Sequence, residues 1–188
     1  MIEAIKIRVN LDESDPLIWR EMLVAKDISF YKLHHAIQLV MGWTNSHLFE
    51  FKLEGYRVGV IYDELDGLDE GEIIDAKNTK LTDLVEKENE AFIYEYDFGD
   101  SWNHIIIVEK HVLLEDGQQL PFCTTGELKC PPEDCGGVPG YNYILSILAD
   151  KKHEEYKDIK AWIGAKFNAT EFDVSKTNKK LKNIGKLR

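Results

Sequence analysis

No apolar run in this chain approaches the roughly 18–20 residues that a membrane-spanning helix requires, so no membrane role is expected. The opening stretch, Met1-Ile-Glu-Ala-Ile-Lys-Ile-Arg8, has no basic region followed by an apolar core, so no secretory leader is expected either. Cysteine is scarce. Cys123, Cys130 and Cys135 are an odd number, which speaks against a disulfide framework and fits a reducing compartment, the cytoplasm. Internal repeats and low-complexity segments are missing as well. So are the nucleophile elbow, the Gly-x-Gly-x-x-Gly fingerprint and the His-Glu-x-x-His zinc motif. Enzymatic activity therefore has no motif to support it.

What is present is enough for a sizeable core: 188 residues, 44% of them hydrophobic, for which one domain over residues 1–188 is the simplest expectation. The net charge of -11 is unevenly spread. Between Tyr62 and Asp100, 14 acids face only Lys77, Lys80 and Lys87, a local balance of -11. From Val174 to Arg188, five lysines and one arginine face no acid, a local +6 that reads as the solvated end of a helix. An acidic body repels a phosphate backbone, which argues against nucleic acid as a partner.

Ile5, Ile7, Val9 and Leu11 alternate with Lys6, Arg8 and Asn10, the period of a half-buried strand. Ile18, Trp19 and Met22–Val24 suggest its hairpin partner beyond Pro16. Ser29 can cap a helix whose apolar face is Leu33, Ala36, Ile37, Val40 and Met41, closed by Gly42, with His34, His35 and Gln38 off that stripe. Trp43 would then fold back on the core. His47–Leu53 alternates again, Asp63–Glu72 reads as an acidic loop, and Thr79–Val85 as a short helix capped by Thr79. Helices are expected at Tyr141–Ala149, Glu154–Gly164 and Thr170–Ile184. Strands first and helices last predict an α+β fold: a mainly antiparallel sheet with helices on one face and a C-terminal helical stretch.

The densest chemistry lies in Tyr94-Glu-Tyr-Asp-Phe-Gly-Asp-Ser-Trp-Asn-His104. A two-residue turn at Gly99-Asp100 would pair Asp97 with Trp102 and Glu95 with His104. Glu95, Asp97, Trp102 and His104 would then share one face as an acid–imidazole cluster, and His104 should titrate above its ordinary value of about 6.5. A three-residue loop would instead set Tyr96 opposite His104 and scatter the cluster. A carboxylate-oriented imidazole suits general acid–base work or metal ligation, against the plainer alternative of acids bonding turn amides. Asp-Phe-Gly has none of the other kinase signatures around it.

The Pro-, Gly- and Cys-rich stretch from Glu115 to Gly140 is long for a loop. Cys130-x4-Cys135, with six residues between Cys123 and Cys130, lacks the Cys-x2-Cys spacing of common zinc sites, so thiols in a tight loop are the default over a Cys123–Cys130–Cys135 metal site. Gly136-Gly137 before a helix is reminiscent of an anion-binding helix start, but Glu133-Asp134 stand beside it and no phosphate-loop lysine does.

Ile18-Trp-Arg, Leu33-His, Ile37-Gln, Gly42-Trp, Ser46-His-Leu, Tyr96-Asp-Phe-Gly-Asp with Trp102 and His104, Cys130-Pro-Pro-Glu-Asp-Cys-Gly-Gly and Pro139-Gly-Tyr together resemble the plasmid pRiA4b ORF-3-like family over nearly the whole chain. Trp162, Phe167 and Phe172 also fit. The resemblance implies no established activity, and it draws attention to His34 and His47, near the two ends of the first helix.

The expectation is a cytoplasmic binding or interaction domain for an unidentified protein or small-molecule ligand, using the Asp97–His104 turn and the Cys130–Tyr141 loop. Its candidate ligand-binding residues are His34, His47, Glu95, Asp97, Asp100, Trp102, His104, Glu133, Asp134 and Tyr141. No cofactor is required. The first alternative is a metal-dependent hydrolase or nuclease using His34, His47, Asp97, Asp100 and His104, because imidazoles with carboxylates suit a divalent metal. The second is an accessory domain beside DNA-processing partners, as resolvase-like and repressor-like associations of relatives imply, although this chain has no separate helix-turn-helix module.

Overall fold

The computed structural model describes residues 1–61 and 73–184; the expected Asp63–Glu72 loop and the last basic residues lie outside them. The chain begins with the antiparallel pair β1 (Ile2–Leu11) and β2 (Trp19–Ala25), followed by helix α1 (Phe30–Met41). Then come β3 (Phe49–Leu53), β4 (Tyr56–Gly59), β5 (Ile73–Asp75) and the one-turn helix α2 (Leu81–Leu84). The hairpin β6 (Ala91–Tyr96) and β7 (Trp102–Leu114), the strand β8 (Phe122–Glu127) and helices α3 (Gly137–Ala149), α4 (Tyr156–Ile163) and α5 (Val174–Leu181) complete it. The strands form one eight-stranded sheet in the order β5-β4-β3-β6-β7-β1-β2-β8, antiparallel except where β4 meets β5. The expected α+β architecture is the one observed. No helix among the described residues is long and apolar enough to cross a membrane.

The strand alternation decides which face is which. Ile5, Ile7, Val9 and Leu11 of β1, Met22 and Val24 of β2, Phe51 of β3, and Ile106 and Val108 of β7 point into one core with α1. On the opposite face, Lys6 bridges Glu21 and Glu109, Lys52 meets Glu95 and Arg57 meets Glu50, a lattice of ion pairs suited to water. Trp43 and Trp102 are both buried.

Helix α1 carries its expected caps: the Ser29 side chain accepts from the Lys32 amide, and Gly42 closes the helix at φ 97°. Its buried surface is wider than the apolar stripe, because His34, His35 and Gln38 are buried too. Strand β3 supplies the reason for His34, whose ring stacks on Phe49 at 3.6 Å and 8°. Element ends shift elsewhere. The short helix α2 follows Lys80 rather than Thr79, with the Asp83 carboxylate accepting from the Lys80 amide. Helix α3 starts at Gly137, and α5 starts after Asp173, which caps the Lys176 amide, rather than at Thr170.

Two polar side chains hold the β8 end of the sheet. Arg20 projects from the core face of β2 and is 1% exposed. Its guanidinium donates to the carbonyls of Val40, Trp19, Glu127 and Leu128 at 2.6–3.0 Å and lies 3.8 Å from the Phe172 ring. No carboxylate pairs with it among the described residues. Burial lowers its pKa from the ordinary arginine value. Asn178 of α5 both donates to the Cys123 carbonyl and accepts from the Cys123 amide, each at 2.8 Å, on the outer edge of β8.

Arg20→Lys tests the guanidinium directly. A single ammonium keeps the charge but cannot reach carbonyls on α1, β8 and the following segment at once, so urea denaturation should show a loss of about 2–4 kcal/mol. A loss under about 0.5 kcal/mol would mean that charge alone, not the planar fork, is what the site needs.

Candidate functional site

The hairpin register differs from both expected registers. Tyr96 pairs with Trp102, Glu95 with Asn103 and Tyr94 with His104, so residues 97–101 form a five-residue connection. Asp97 begins that connection instead of ending a strand: its Oδ1 accepts from the Gly99 and Asp100 amides at 3.0 and 3.4 Å. Asp97 and Ser101, rather than Gly99, take the left-handed conformations, at φ 58° and 50°. One residue of register reverses every side chain. Trp102 and His104 therefore join Tyr94 and Tyr96 in the core, while Glu95 faces outward to Lys52.

The expected Glu95–Asp97–Trp102–His104 cluster does not form. His104 is 0% exposed, with Nδ1 3.3 Å from the Tyr94 carbonyl and Nε2 without a partner among the described residues. Burial, with Arg20 adding to it, pushes its pKa down to about 4 rather than above 6.5. Trp102 is likewise sealed in, its indole Nε1 unpartnered. Tyr141 is buried near Phe167.

A different set of groups gathers at the turn. After Gly42 the chain folds back through Trp43, whose indole donates to the Pro131 carbonyl at 3.0 Å and stacks on Tyr96. Glu133 clasps this fold-back to the cysteine loop. Its carboxylate accepts from the Thr44 amide, the Thr44 hydroxyl and the Tyr96 hydroxyl, the last two at 2.6 Å. Burial and the Glu133 carboxylate raise the Tyr96 pKa. Asp100 Oδ2 accepts from the Gly136 amide at 3.2 Å. Gly137, at φ 67°, passes so close that a Cβ there would lie 2.5 Å from the Asp100 carbonyl oxygen, so only glycine fits.

Behind the turn runs a directed hydrogen-bond relay. Gln38 Nε2 donates to the Tyr94 hydroxyl at 3.0 Å, which stands 2.7 Å from His34 Nδ1; His34 Nε2 is 2.5 Å from Asn45 Oδ1. Because Asn45 Oδ1 only accepts, His34 carries its proton on Nε2 and takes the tyrosine proton at Nδ1. Burial, with His35 alongside, lowers the His34 pKa to about 3 and keeps the ring neutral.

Two of these residues, His34 and Asn45, line an open cleft of about 640 Å³. Tyr31, His34 and Phe49 line it together with Asn45, Ser46 and His47; Leu48 and Phe98, each nearly half exposed, form apolar lips, and Lys77 and Val60 complete its far side. At the rim, His47 Nε2 lies 3.6 Å from Asp97 Oδ2 and 3.4 Å from Asp134 Oδ1.

Of the expected residues, His34, His47, Asp97 and Asp134 therefore meet at the cleft or its rim. Glu133 and Asp100 hold the loop beside it, and Glu95, Trp102, His104 and Tyr141 lie elsewhere. Tyr31, Asn45, Ser46, Phe49 and Lys77 line the cleft without having been expected; the polar run Thr44-Asn-Ser directly after a helix C-cap is the signal that points to part of that set. The cysteines are free thiols: Cys123 sits on β8, Cys130 and Cys135 in the loop. Burial pushes the Cys123 thiol up to about 11 and the Cys135 thiol up to about 12, and raises Cys130 as well, so none is a ready thiolate. Among the described residues, the donor group of metal-binding size is His47, Asp97 and Asp134.

Buried histidines with lowered pKa values make stability depend on pH, His34 and His104 with the largest shifts and His35 in the same direction. The unfolded chain protonates them near 6.5, whereas the folded chain holds them neutral down to about 3 for His34 and about 4 for His104. Their contribution is complete above about 6.5 and is lost as pH falls towards those folded values, at about 1.4 kcal/mol per pH unit for each ring. Denaturation midpoints measured from pH 7.5 to 4.5 should therefore fall, and fall less steeply in His104→Gln. An identical slope in both proteins would exclude His104 as a contributor.

Comparison with known proteins agrees with the fold. The family described as plasmid pRiA4b ORF-3-like protein matches residues 3–176. The uncharacterized protein y4hQ of Sinorhizobium fredii is 33% identical over 184 residues, 96% of this chain and 92% of that protein. The crystal structure of MM3350, a protein of unknown function from Methanosarcina mazei Go1, superposes with a TM-score of 0.85 at 34% identity, covering 93% of this chain and 97% of that one.

Proposed function

This chain belongs to the plasmid pRiA4b ORF-3-like family, and from that premise we propose that it is a binding domain whose ligand is a small, flat molecule seated in the cleft over His34 and Phe49. One observation carries this: apolar lips and convergent polar groups share a cleft of about 640 Å³, within the size range of small-molecule sites. Tyr31, Phe49, Leu48 and Phe98 offer faces and edges to a planar apolar body. Asn45, Ser46, His47 and Lys77 offer donors and acceptors to its polar edge. The His34 relay supports recognition over proton transfer, because an imidazole held neutral and bonded at both nitrogens is a fixed wall and not a working base.

The test is a ¹H–¹⁵N titration of the full chain with planar heteroaromatic probes such as indole and adenosine. Saturable shifts should cluster on the amides of Ser46, His47 and Gly99 and disappear in Val60→Trp, which fills the far side of the cleft. Shifts scattered over the surface, or unchanged in Val60→Trp, would remove the cleft as the binding site.

A further inference from the structure

We propose that His47, Asp97 and Asp134 bind one first-row divalent transition-metal ion at the rim of the cleft. Three separate segments deliver these donors: the fold-back after α1, the β6–β7 connection and the cysteine loop. Their ligand atoms all lie within 4.8 Å of one another.

The separations are informative. His47 Nε2 stands 3.4 and 3.6 Å from the two carboxylate oxygens, and neither approach forms a hydrogen bond. Ligand atoms held at roughly 2.0–2.2 Å from a common ion stand about 3–3.5 Å apart, close to that spacing. Asp97 adds an independent sign. The residue is 8% exposed, and while Oδ1 is satisfied by two turn amides, Oδ2 accepts no hydrogen bond from the described residues and lies 3.6 Å from His47 Nε2. A carboxylate oxygen left to solvent at the rim, with no protein donor on it, is open to a cation.

Charge balance points the same way. Asp97, Asp100, Glu133 and Asp134 surround the rim, and among the described residues no lysine or arginine forms an ion pair with any of them. One imidazole with two carboxylates suits manganese, iron, cobalt or zinc better than magnesium or calcium, which prefer oxygen alone. The Glu133 clasp and the Asp100–Gly136 bond fix the cysteine loop next to Asp134, so the donor set is held in place before an ion arrives. Three protein ligands leave positions open, and an ion there would add a Lewis-acidic anchor for an anionic or carbonyl group of the cleft ligand. That last role rests on the cleft reading; binding of the ion does not.

The experiment therefore uses the metal alone. Mn²⁺ is titrated into the full chain and free ion is followed by its electron paramagnetic resonance signal, with Zn²⁺ as competitor. One tight equivalent is expected, displaced by Zn²⁺. His47→Ala and Asp97→Asn should weaken it at least tenfold and the exposed Asp134→Asn about threefold or more, while His111→Ala on distant β7 leaves it unchanged. Asp134→Asn changes a surface side chain and keeps the test valid if Asp97→Asn fails to fold. Val60→Trp should bind Mn²⁺ as wild type does, so a failed cleft and a failed metal site give different results. No equivalent tighter than millimolar in wild type, or equal affinity in His47→Ala and Asp134→Asn, would overturn the proposal.

Discussion

A buried positive charge with no negative partner among the described residues is the constraint on which this structure turns. Arg20 enters the core from β2, where an aliphatic residue would satisfy the strand pattern. Its charge is tolerable only because carbonyl oxygens come to meet it, and they come from the end of α1, from β8 and from the residue after β8. The Val40 carbonyl also stands at the negative end of the α1 dipole, which adds to the match. The guanidinium thus fixes where α1 ends and where the chain leaves the sheet. Those two places are the starting points of the two segments that build the cleft rim.

From there the rim is assembled by polar contacts more than by packing. Trp43 reaches Pro131, Glu133 reaches back to Thr44 and Tyr96, and Asp100 takes the Gly136 amide. Each contact joins the α1 fold-back or the hairpin to the cysteine loop. The cysteines themselves contribute little, being protonated, separate and mostly buried. The loop is held through Glu133 and Gly136 rather than through its thiols.

The periodic elements were legible because a single physical signal sets them. Ile5 to Leu11 alternates and lies in the core; Ser29 and Gly42 bracket α1 and do cap it. The hairpin was not legible, and the reason is specific. Gly99-Asp100 advertises a tight turn, but Asp97 binds the amides inside it and adopts a left-handed conformation itself, displacing the register by one residue. Local side-chain bonding overrode the glycine signal, and His104 passed from the site to the core. His34 was legible as a residue to watch, but its surroundings were not: the stacking of Phe49 and the hydroxyl of Tyr94, both distant in sequence, make it a buried wall.

The pairing of Asn178 with Cys123 reaches beyond local order. A side-chain amide that donates to and accepts from one residue of β8 imitates a single rung of a neighbouring strand. By seating α5 against the sheet margin, it occupies hydrogen-bonding groups that another polypeptide would otherwise find. Helix α5 therefore blunts that margin: while it is docked, the Cys123 rung is taken, and a strand from a second molecule would find its hydrogen-bonding groups already filled there.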